Sequence, residues 1–290
     1  MVERIGFVGL GAMGIAMAGN LLKAGFKVTG YDVRQGPLDL LKLAGGVPTT
    51  SPAMAAADSE VVITILPHDD AARSAVLGPG GIAEGLREGS VLMEMSTISV
   101  ALVKEIDEAL SGQGATVLDA PVGGTPDIAA KGELTILVGG DETALERCRP
   151  VLAAMGTHIM PMGAVGNGKL GKMANNMLVT IGLLSVMEIL AWAQKAGADL
   201  ELLTEALRNL PASSTIMNFH LARLASIPDQ YRQQYIWFHK DIHLLLEEAE
   251  VMQSALPLTA QAKSILSAAR NMEGGAETMG SLLAYYERTM

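Results

Sequence analysis

The spacing of hydrophobic positions changes along the chain. In the first half, short runs of Val, Ile and Leu alternate with stretches whose apolar residues recur at helical intervals. Strands are predicted at Ile5–Leu10, Lys27–Tyr31, Val61–Leu66, Val91–Met95, Thr116–Leu118 and Leu134–Val138. Helices are predicted between them at Met13–Ala24, Val100–Ser111 and Glu142–Met155. Alternating strands and helices, with strands apolar on both faces, indicate an α/β fold with a doubly wound parallel sheet.

Strand patterns nearly stop after residue 163, and helical spacing takes over. Lys169–Ala196 predicts one long helix, which Gly197 ends because glycine accommodates the left-handed turn at a helix C-terminus. Asp199 is placed to cap the next helix, Leu200–Asn209. Further helices are predicted at Ile242–Gln253, Thr259–Asn271 and Thr278–Glu287. The second part of the chain is therefore expected to be all-helical.

Proline-containing segments mark the connections in this second part, at Ile227-Pro228-Asp229 and at Leu256-Pro257. The change of pattern near residue 163 and the helix stop at Gly197 divide the chain into three parts. We expect a cofactor-binding sheet domain over residues 1–163, a long interdomain helix over 164–196, and a helical domain for substrate binding and dimerisation over 197–290.

Composition narrows the function classes. The net charge of −10 without basic clusters argues against a nucleic-acid partner. Cys148 is the only cysteine and has no partner for an intramolecular disulfide, so we expect a reducing, cytoplasmic location. The N-terminus lacks a signal-peptide pattern, and the apolar run Met177–Met187 is shorter than the roughly 20 residues that span a membrane. That run suits helical domains packed together in a homodimer or homotetramer.

A glycine-rich turn lies between the first predicted strand and helix. Its residues are Gly9-Leu10-Gly11-Ala12-Met13-Gly14, which fit Gly-x-Gly-x-x-Gly. In a Rossmann-type domain such glycines allow a tight turn and a close approach to a pyrophosphate, which the helix N-terminus binds. Asp32, at the end of the second strand, is placed to accept hydrogen bonds from the adenosine ribose and favours NAD. Arg34 would instead accommodate NADP, and a purely structural turn is the competing explanation.

Two other strand ends are candidates for ligand contact, because the carboxyl edge of such a sheet faces the ligand. Leu66-Pro67 ends one strand and is expected near the cofactor. Ser96 and Thr97 follow another and are expected near substrate and cofactor respectively. Each of these residues equally suits a helix cap or a turn.

Lys172 and Asn176 are four residues apart at the start of the long apolar helix, so they share one face. Reduction of a carbonyl requires a proton for its oxygen, and a partly buried lysine can donate that proton and recover it in the oxidative direction. An asparagine beside it can orient the substrate. A solvated helix start with ordinary surface lysines is the alternative.

The chain resembles the β-hydroxyacid dehydrogenase family, which includes 3-hydroxyisobutyrate dehydrogenase, tartronate semialdehyde reductase and sulfolactaldehyde reductase. The motifs are Gly9-Leu10-Gly11-Ala12-Met13-Gly14, Met95-Ser96-Thr97, Asp119-Ala120-Pro121-Val122-Gly123-Gly124, Lys172-Met173-Ala174-Asn175-Asn176 and His239-Lys240-Asp241. The resemblance covers nearly the whole length. It implies that Lys172 is the catalytic acid and base and that Asn176 helps to hold the substrate. It also implies that Thr97 and Lys240 contact the cofactor or line the active site.

The substrate loop departs from the family pattern Asp-Ala-Pro-Val-Ser-Gly-Gly. Gly123 stands where the serine is expected, followed by Gly124 and Thr125. The two glycine N–H groups can still bind a carboxylate, and Thr125 can replace the lost hydroxyl. The Val-Gly-x-Thr arrangement is similar to sulfolactaldehyde reductases, which place an arginine where this chain has Gly124. We expect the substrate's acid group near Ser96, these glycines and Asn176.

Together these features predict an NAD-dependent oxidoreductase that interconverts a small carboxylate-bearing 3-hydroxy acid and its semialdehyde. A sulfolactaldehyde-type or imine-type reductase of the same superfamily is one alternative. Another is an S-adenosylmethionine-dependent methyltransferase, because a glycine-rich turn followed by an acidic residue also suits that cofactor. A third is an NAD-sensing module without catalysis. The five histidines show no metal-ligand grouping, so no metal site is expected.

Overall fold

The computed structural model describes residues 2–224, 238–272 and 278–289. The chain divides into two compact units, Met1–Lys172 and Met173–Met290. The predicted connection at Ile227-Pro228-Asp229 lies outside the described residues.

The first unit combines one sheet with surrounding helices. Its strands are β1 (Arg4–Val8), β2 (Lys27–Tyr31), β3 (Val47–Pro48), β4 (Val61–Thr64), β5 (Val91–Glu94), β6 (Thr116–Asp119), β7 (Val122–Gly123), β8 (Leu134–Gly140) and β9 (Gly156–Gly163). Its helices are α1 (Ala12–Lys23), α2 (Gln35–Leu43), α3 (Pro52–Ala56), α4 (Asp69–Leu77), α5 (Ile82–Gly85), α6 (Val100–Ser111), α7 (Pro126–Lys131) and α8 (Glu142–Ala153). The alternation confirms the predicted α/β class.

The strand order is β3-β2-β1-β4-β5-β6-β8-β7, with β9 beside β8. The first six of these are parallel, and the chain crosses from one side of β1 to the other between β3 and β4. Ligands bind at such a reversal of strand order, outside the carboxyl ends of the strands. Strand β8 runs antiparallel to β6 and β7, whereas β9 is parallel to β8. The doubly wound sheet is therefore confirmed, with an added mixed edge.

Two apolar layers cover the faces of this sheet. Ile63 packs in one buried cluster and its neighbour Val62 in the other, because successive side chains of a strand point to opposite faces. Every residue of β4 and β5 is buried. Cys148 is also fully buried, on α8, as expected for a small apolar side chain. Burial raises the pKa of its thiol to about 12.

The second unit is helical throughout the part that the structure describes, as predicted. Its helices are the greater part of α9 (Asn167–Lys195), then α10 (Leu200–Asn209), α11 (Thr215–Leu224), α12 (Phe238–Val251), α13 (Pro257–Met272) and α14 (Met279–Thr289). Asp199 caps α10 by accepting from two backbone N–H groups, and Gly197 has φ +78° after α9. Pro257, predicted in a connection, is instead the first residue of α13, where its missing N–H costs nothing.

Helix α9 is long and apolar enough to resemble a membrane-crossing helix, with mean hydropathy 1.7 over its best window. Buried helices of globular proteins share these features, and 44% of that window is buried within the protein. Leu183 and Val186 of this helix are almost completely buried in the core of the second unit. Leu178 and Trp192 are 68% and 66% exposed, so part of the helix presents apolar surface.

Candidate active site

The glycine loop connects β1 to α1 and has the geometry of a dinucleotide cradle. Gly9 has φ +95°, and a Cβ there would lie 2.4 Å from the backbone oxygen of Ile65. A Cβ on Gly14 would lie 2.0 Å from the oxygen of Gly9. Helix α1 has no acidic residue in its first turn, so nothing there opposes an anion at its N-terminus. These residues fit a pyrophosphate.

Asp32 follows β2 and binds the glycine loop directly. Its Oδ2 accepts a hydrogen bond from Leu10 N at 2.9 Å. Its Oδ1 accepts from Arg34 N at 2.9 Å and from Arg34 Nε at 3.0 Å. Burial acts to raise the pKa of Asp32, but these hydrogen bonds outweigh it and hold that pKa below its ordinary value of 3.8. The loop therefore carries an ionised carboxylate whose charge an adjacent guanidinium offsets.

The turns after β4 and β5 are joined by Ser96, which is 1% exposed. Its Oγ accepts a hydrogen bond from Leu66 N at 2.8 Å. Its own N–H donates to Glu94 Oε1 at 3.1 Å. Thr97 is half-buried and Pro67 is exposed. The structure thus brings the predicted Leu66-Pro67 and Ser96-Thr97 turns together at the carboxyl edge of the sheet.

The substrate loop begins in β7. Gly123 is half-buried, and a Cβ there would meet nothing closer than 3.8 Å. Gly124 is exposed with φ +142°, a conformation that favours glycine. Thr125 precedes α7 and is exposed, and its hydroxyl makes no capping hydrogen bond to that helix. The missing family serine would therefore fit at the first glycine but not at the second.

Lys172 lies half-buried on α9, one turn before Asn176. The side chain of Asn176 is largely buried, and its Nδ2 donates to Asp241 Oδ2 at 2.7 Å. Asp241 Oδ1 lies 3.7 Å from Lys240 Nζ. The predicted residues Asn176 and Lys240 are therefore linked through Asp241. The sequence analysis named Asp241 as part of a motif but assigned it no role.

A buried ionic cluster at the start of α9 escaped sequence reasoning. Lys169 is 1% exposed, and Glu94 and Asp119 are fully buried. Lys169 Nζ lies 2.5 Å from Glu94 Oε2 and 3.1 Å from Asp119 Oδ1. It also donates to the backbone oxygen of Glu94 at 2.8 Å. Two carboxylates at the ends of β5 and β6 thus share one ammonium group.

The sequence signal for this cluster was slight. Each carboxylate ends an apolar strand, which is an unusual position for a charge that has no partner. Lys169 is part of a helix start that contains two other polar residues, Asn167 and Lys172. Among residues 2–224, 238–272 and 278–289, no three His, Cys, Asp or Glu side chains are grouped to hold a metal ion.

Two protein-family models match the chain. One, the NAD binding domain of 6-phosphogluconate dehydrogenase, matches residues 4–180. The other, described as NAD-binding of NADP-dependent 3-hydroxyisobutyrate dehydrogenase, matches residues 166–286. The glycine loop, the substrate loop and the start of α9 lie in the first match. Most of α9 and nearly all of the later helices lie in the second.

Curated relatives match over nearly full length. The 3-hydroxyisobutyrate dehydrogenase of Pseudomonas aeruginosa is 33% identical over 91% of this chain and 91% of its own. The 2-hydroxy-3-oxopropionate reductase of Escherichia coli is 31% identical over 91% of this chain and 90% of its own. Both names describe oxidoreductases of small molecules.

Solved structures show the same fold. The 3-hydroxyisobutyrate dehydrogenase of Mycobacterium tuberculosis, described with L-serine, covers 100% of this chain and 99% of its own at 27% identity, with a TM-score of 0.90. An imine reductase of Myxococcus stipitatus described with NAD⁺ covers 98% of this chain and 99% of its own. Its identity is 20% and its TM-score 0.68, so it shares the fold alone.

Proposed function

The chain belongs to the β-hydroxyacid dehydrogenase family and is an NAD(P)-dependent enzyme, and from this premise we propose that it interconverts a small 3-hydroxy acid and its semialdehyde. The observation that carries the proposal is the pairing of half-buried Lys172 with Asn176, one helical turn apart on α9. A lysine and an amide on one helix face suit proton transfer to a carbonyl oxygen and orientation of the same substrate.

Lys172 is proposed as the proton donor and acceptor. NADH, when bound, would supply the hydride for the carbonyl carbon of the aldehyde. The Lys172 ammonium gives its proton to the carbonyl oxygen as the hydride arrives, so that no free alkoxide forms, and the neutral amine takes that proton back when the alcohol is oxidised. Asn176, held by Asp241, is proposed to orient the substrate. The backbone N–H groups of Gly123 and Gly124 are proposed to bind its carboxylate.

The proposed preference for NAD depends on Asp32. Its lowered pKa keeps the carboxylate ionised at neutral pH, where it repels the 2′-phosphate of NADP. Arg34 supports a remaining capacity for NADP, because its side chain is 62% exposed and could turn from Asp32 to a phosphate. Both family models describe NAD-binding domains, which favours a nicotinamide cofactor over S-adenosylmethionine.

The decisive experiment is the substitution Lys172→Ala. We expect kcat to fall by about 10²- to 10⁴-fold, the usual contribution of general acid catalysis, while the Kd for NADH is unchanged. Lys195→Ala is the matched control, since Lys195 lies exposed at the other end of the same helix. Substantial turnover in the Lys172 variant would remove this residue from the mechanism.

A substrate screen tests the reaction class. NADH and NADPH are each combined with the semialdehydes of malonate, methylmalonate, succinate and tartronate, with glyoxylate, with sulfolactaldehyde and with a cyclic imine. We expect turnover of a carboxylate-bearing aldehyde and a lower KM for NADH than for NADPH. Turnover of the imine or sulfolactaldehyde alone would favour those alternatives. NADH binding without any turnover would favour a sensing module.

We also propose that the enzyme is a cytoplasmic homodimer or homotetramer. The exposure of Leu178 and Trp192 on α9 supports association, because apolar surface on a regular helix is a common interface. Light scattering of the purified protein distinguishes these states, and a monomer at micromolar concentration would contradict the proposal.

A further inference from the structure

The cluster of Lys169, Glu94 and Asp119 at the start of α9 is more elaborate than capping of the helix requires. Asp119 alone caps the helix, because its Oδ2 accepts from Gly166 N at 2.9 Å and from Lys169 N at 3.0 Å. The side chain of Lys169 then returns to the same carboxylate and to Glu94. A fully buried lysine carries a large desolvation penalty, which its partners offset only when their geometry is closely defined.

The first turn of α9 is also pressed closely against the sheet. A Cβ on Gly168 would lie 2.6 Å from the backbone oxygen of Asp119 and 2.7 Å from that of Leu137. A Cβ on Gly139 would lie 2.5 Å from the oxygen of Ala164. The helix backbone therefore meets β6 and β8 without intervening side chains, and the side chain of Lys169 joins the same turn to the ends of β5 and β6.

Glu94 connects this turn to the loop after β5. Its Oε1 accepts from Thr64 Oγ1 at 3.2 Å and from Ser96 N at 3.1 Å, while its Oε2 contacts Lys169. Ser96 in turn holds Leu66 N. One carboxylate thus ties the loop proposed to contact substrate to the helix that carries Lys172.

We propose that Lys169 is a positioning residue that sets the register of α9 against the ends of β5 and β6, and so places Lys172 for proton transfer. This inference rests on the proposed function of Lys172. Residues three apart lie on neighbouring positions of a helix, so a rotation or slip at Lys169 carries Lys172 with it. A displacement of about 1 Å at a reacting group lowers turnover by about 10²-fold.

The role of Lys169 can be tested with a double variant that keeps the formal charge of the cluster. Two carboxylates and one ammonium carry a formal charge of −1. The substitution Lys169→Met leaves two buried carboxylates without their cation, and we expect Tm to fall by roughly 10 °C. Glu94 Oε2 and Asp119 Oδ1 make ion-pair contacts with Lys169 but no well-formed hydrogen bond within the described part of the chain, so both oxygens lose that contact. Adding Glu94→Gln restores the formal charge to −1, and the amide oxygen can still accept from Ser96 N.

The double variant Lys169→Met/Glu94→Gln is compared with Glu94→Gln alone, which differs from it only at Lys169. We expect the double variant to recover much of the Tm that Lys169→Met alone loses. Its Kd for NADH should equal that of Glu94→Gln, whereas its kcat should be about 10- to 100-fold lower than that of Glu94→Gln. The kcat falls more than the KM for the aldehyde changes, because binding groups outside α9 are intact.

A return of kcat together with Tm would show a merely structural role and overturn the proposal. Should the double variant not fold, Lys169→Gln in the same background keeps an uncharged NH2 donor group on a shorter side chain and is judged by the same criteria. The Lys172→Ala variant is assayed in parallel. If that variant remains active, the proposed role of Lys172 in proton transfer fails. If it is inactive while the double variant has normal kcat, only the positioning role fails.

Discussion

Gly14 offers a sharp test of the cofactor cradle, because the structure leaves no room for a single methyl group there. In Gly14→Ala the new Cβ would start 2.0 Å from the oxygen of Gly9 and 3.1 Å from the ring of Phe7. The Gly9 oxygen is backbone, so the loop or α1 must retreat by about 1 Å. Overpacking of this kind costs about 1–3 kcal/mol. If the cost falls on binding, the Kd for NADH rises by about 5- to 150-fold.

Gly19→Ala is the matched control on the same helix. A Cβ on Gly19 meets nothing within 4 Å, so alanine there should stabilise α1 by about 0.5–1 kcal/mol. Fluorescence titration with NADH gives Kd for both variants, and thermal melting gives Tm. A wild-type Kd together with a wild-type Tm in Gly14→Ala would refute the close packing of this turn. Equal weakening by both substitutions would show that the loss is not local.

Two further predictions concern acid stability and the substrate loop. Asp32→Asn should lower Tm at pH 7, because a carboxylate with a lowered pKa stabilises the fold above its ordinary pKa. The difference in Tm from the wild type should shrink as the pH falls below the ordinary pKa of 3.8 and Asp32 becomes protonated in the fold. A pH-independent difference in melting scans would contradict this. Gly123→Ser should leave Tm nearly unchanged and lower the KM for the hydroxy acid in steady-state assays. Gly124→Ser should lower the free energy of unfolding by about 1–3 kcal/mol through backbone strain at φ +142°. Equal Tm values for these two serine variants would refute the conformational argument.

The bounds of helices were predicted best where neighbouring residues in the sequence cap the helix. The bounds of Val100–Ser111 and Leu200–Asn209 were predicted to the residue. Both helices have capping side chains, Ser99 and Asp199. Strand β9 (Gly156–Gly163) was missed, because most of its residues are partly or fully exposed and it contains Pro161, so it lacks a continuous apolar run.

The residues of the candidate site also differ in how far the sequence could predict them. The glycine loop is contiguous in sequence, so its pattern could be recognised from spacing alone. The contacts of Lys169 join residues 50 and 75 positions apart, and the bond from Asn176 to Asp241 spans 65 positions. No periodicity encodes such pairings, which depend on how strands and helices are assembled. A lysine near a helix start gives no sign from spacing that the sheet will bury it.

The complete burial of β4 and β5 has a consequence for the motions of the first unit. Strands with both faces covered and both edges paired exchange their amide hydrogens only through opening of the whole unit. The turns that follow β4 and β5 are therefore attached to the part of the first unit that opens most slowly. Deuterium uptake should accordingly reach the peptides around β4 and β5 last, well after the exposed loop at Gly124.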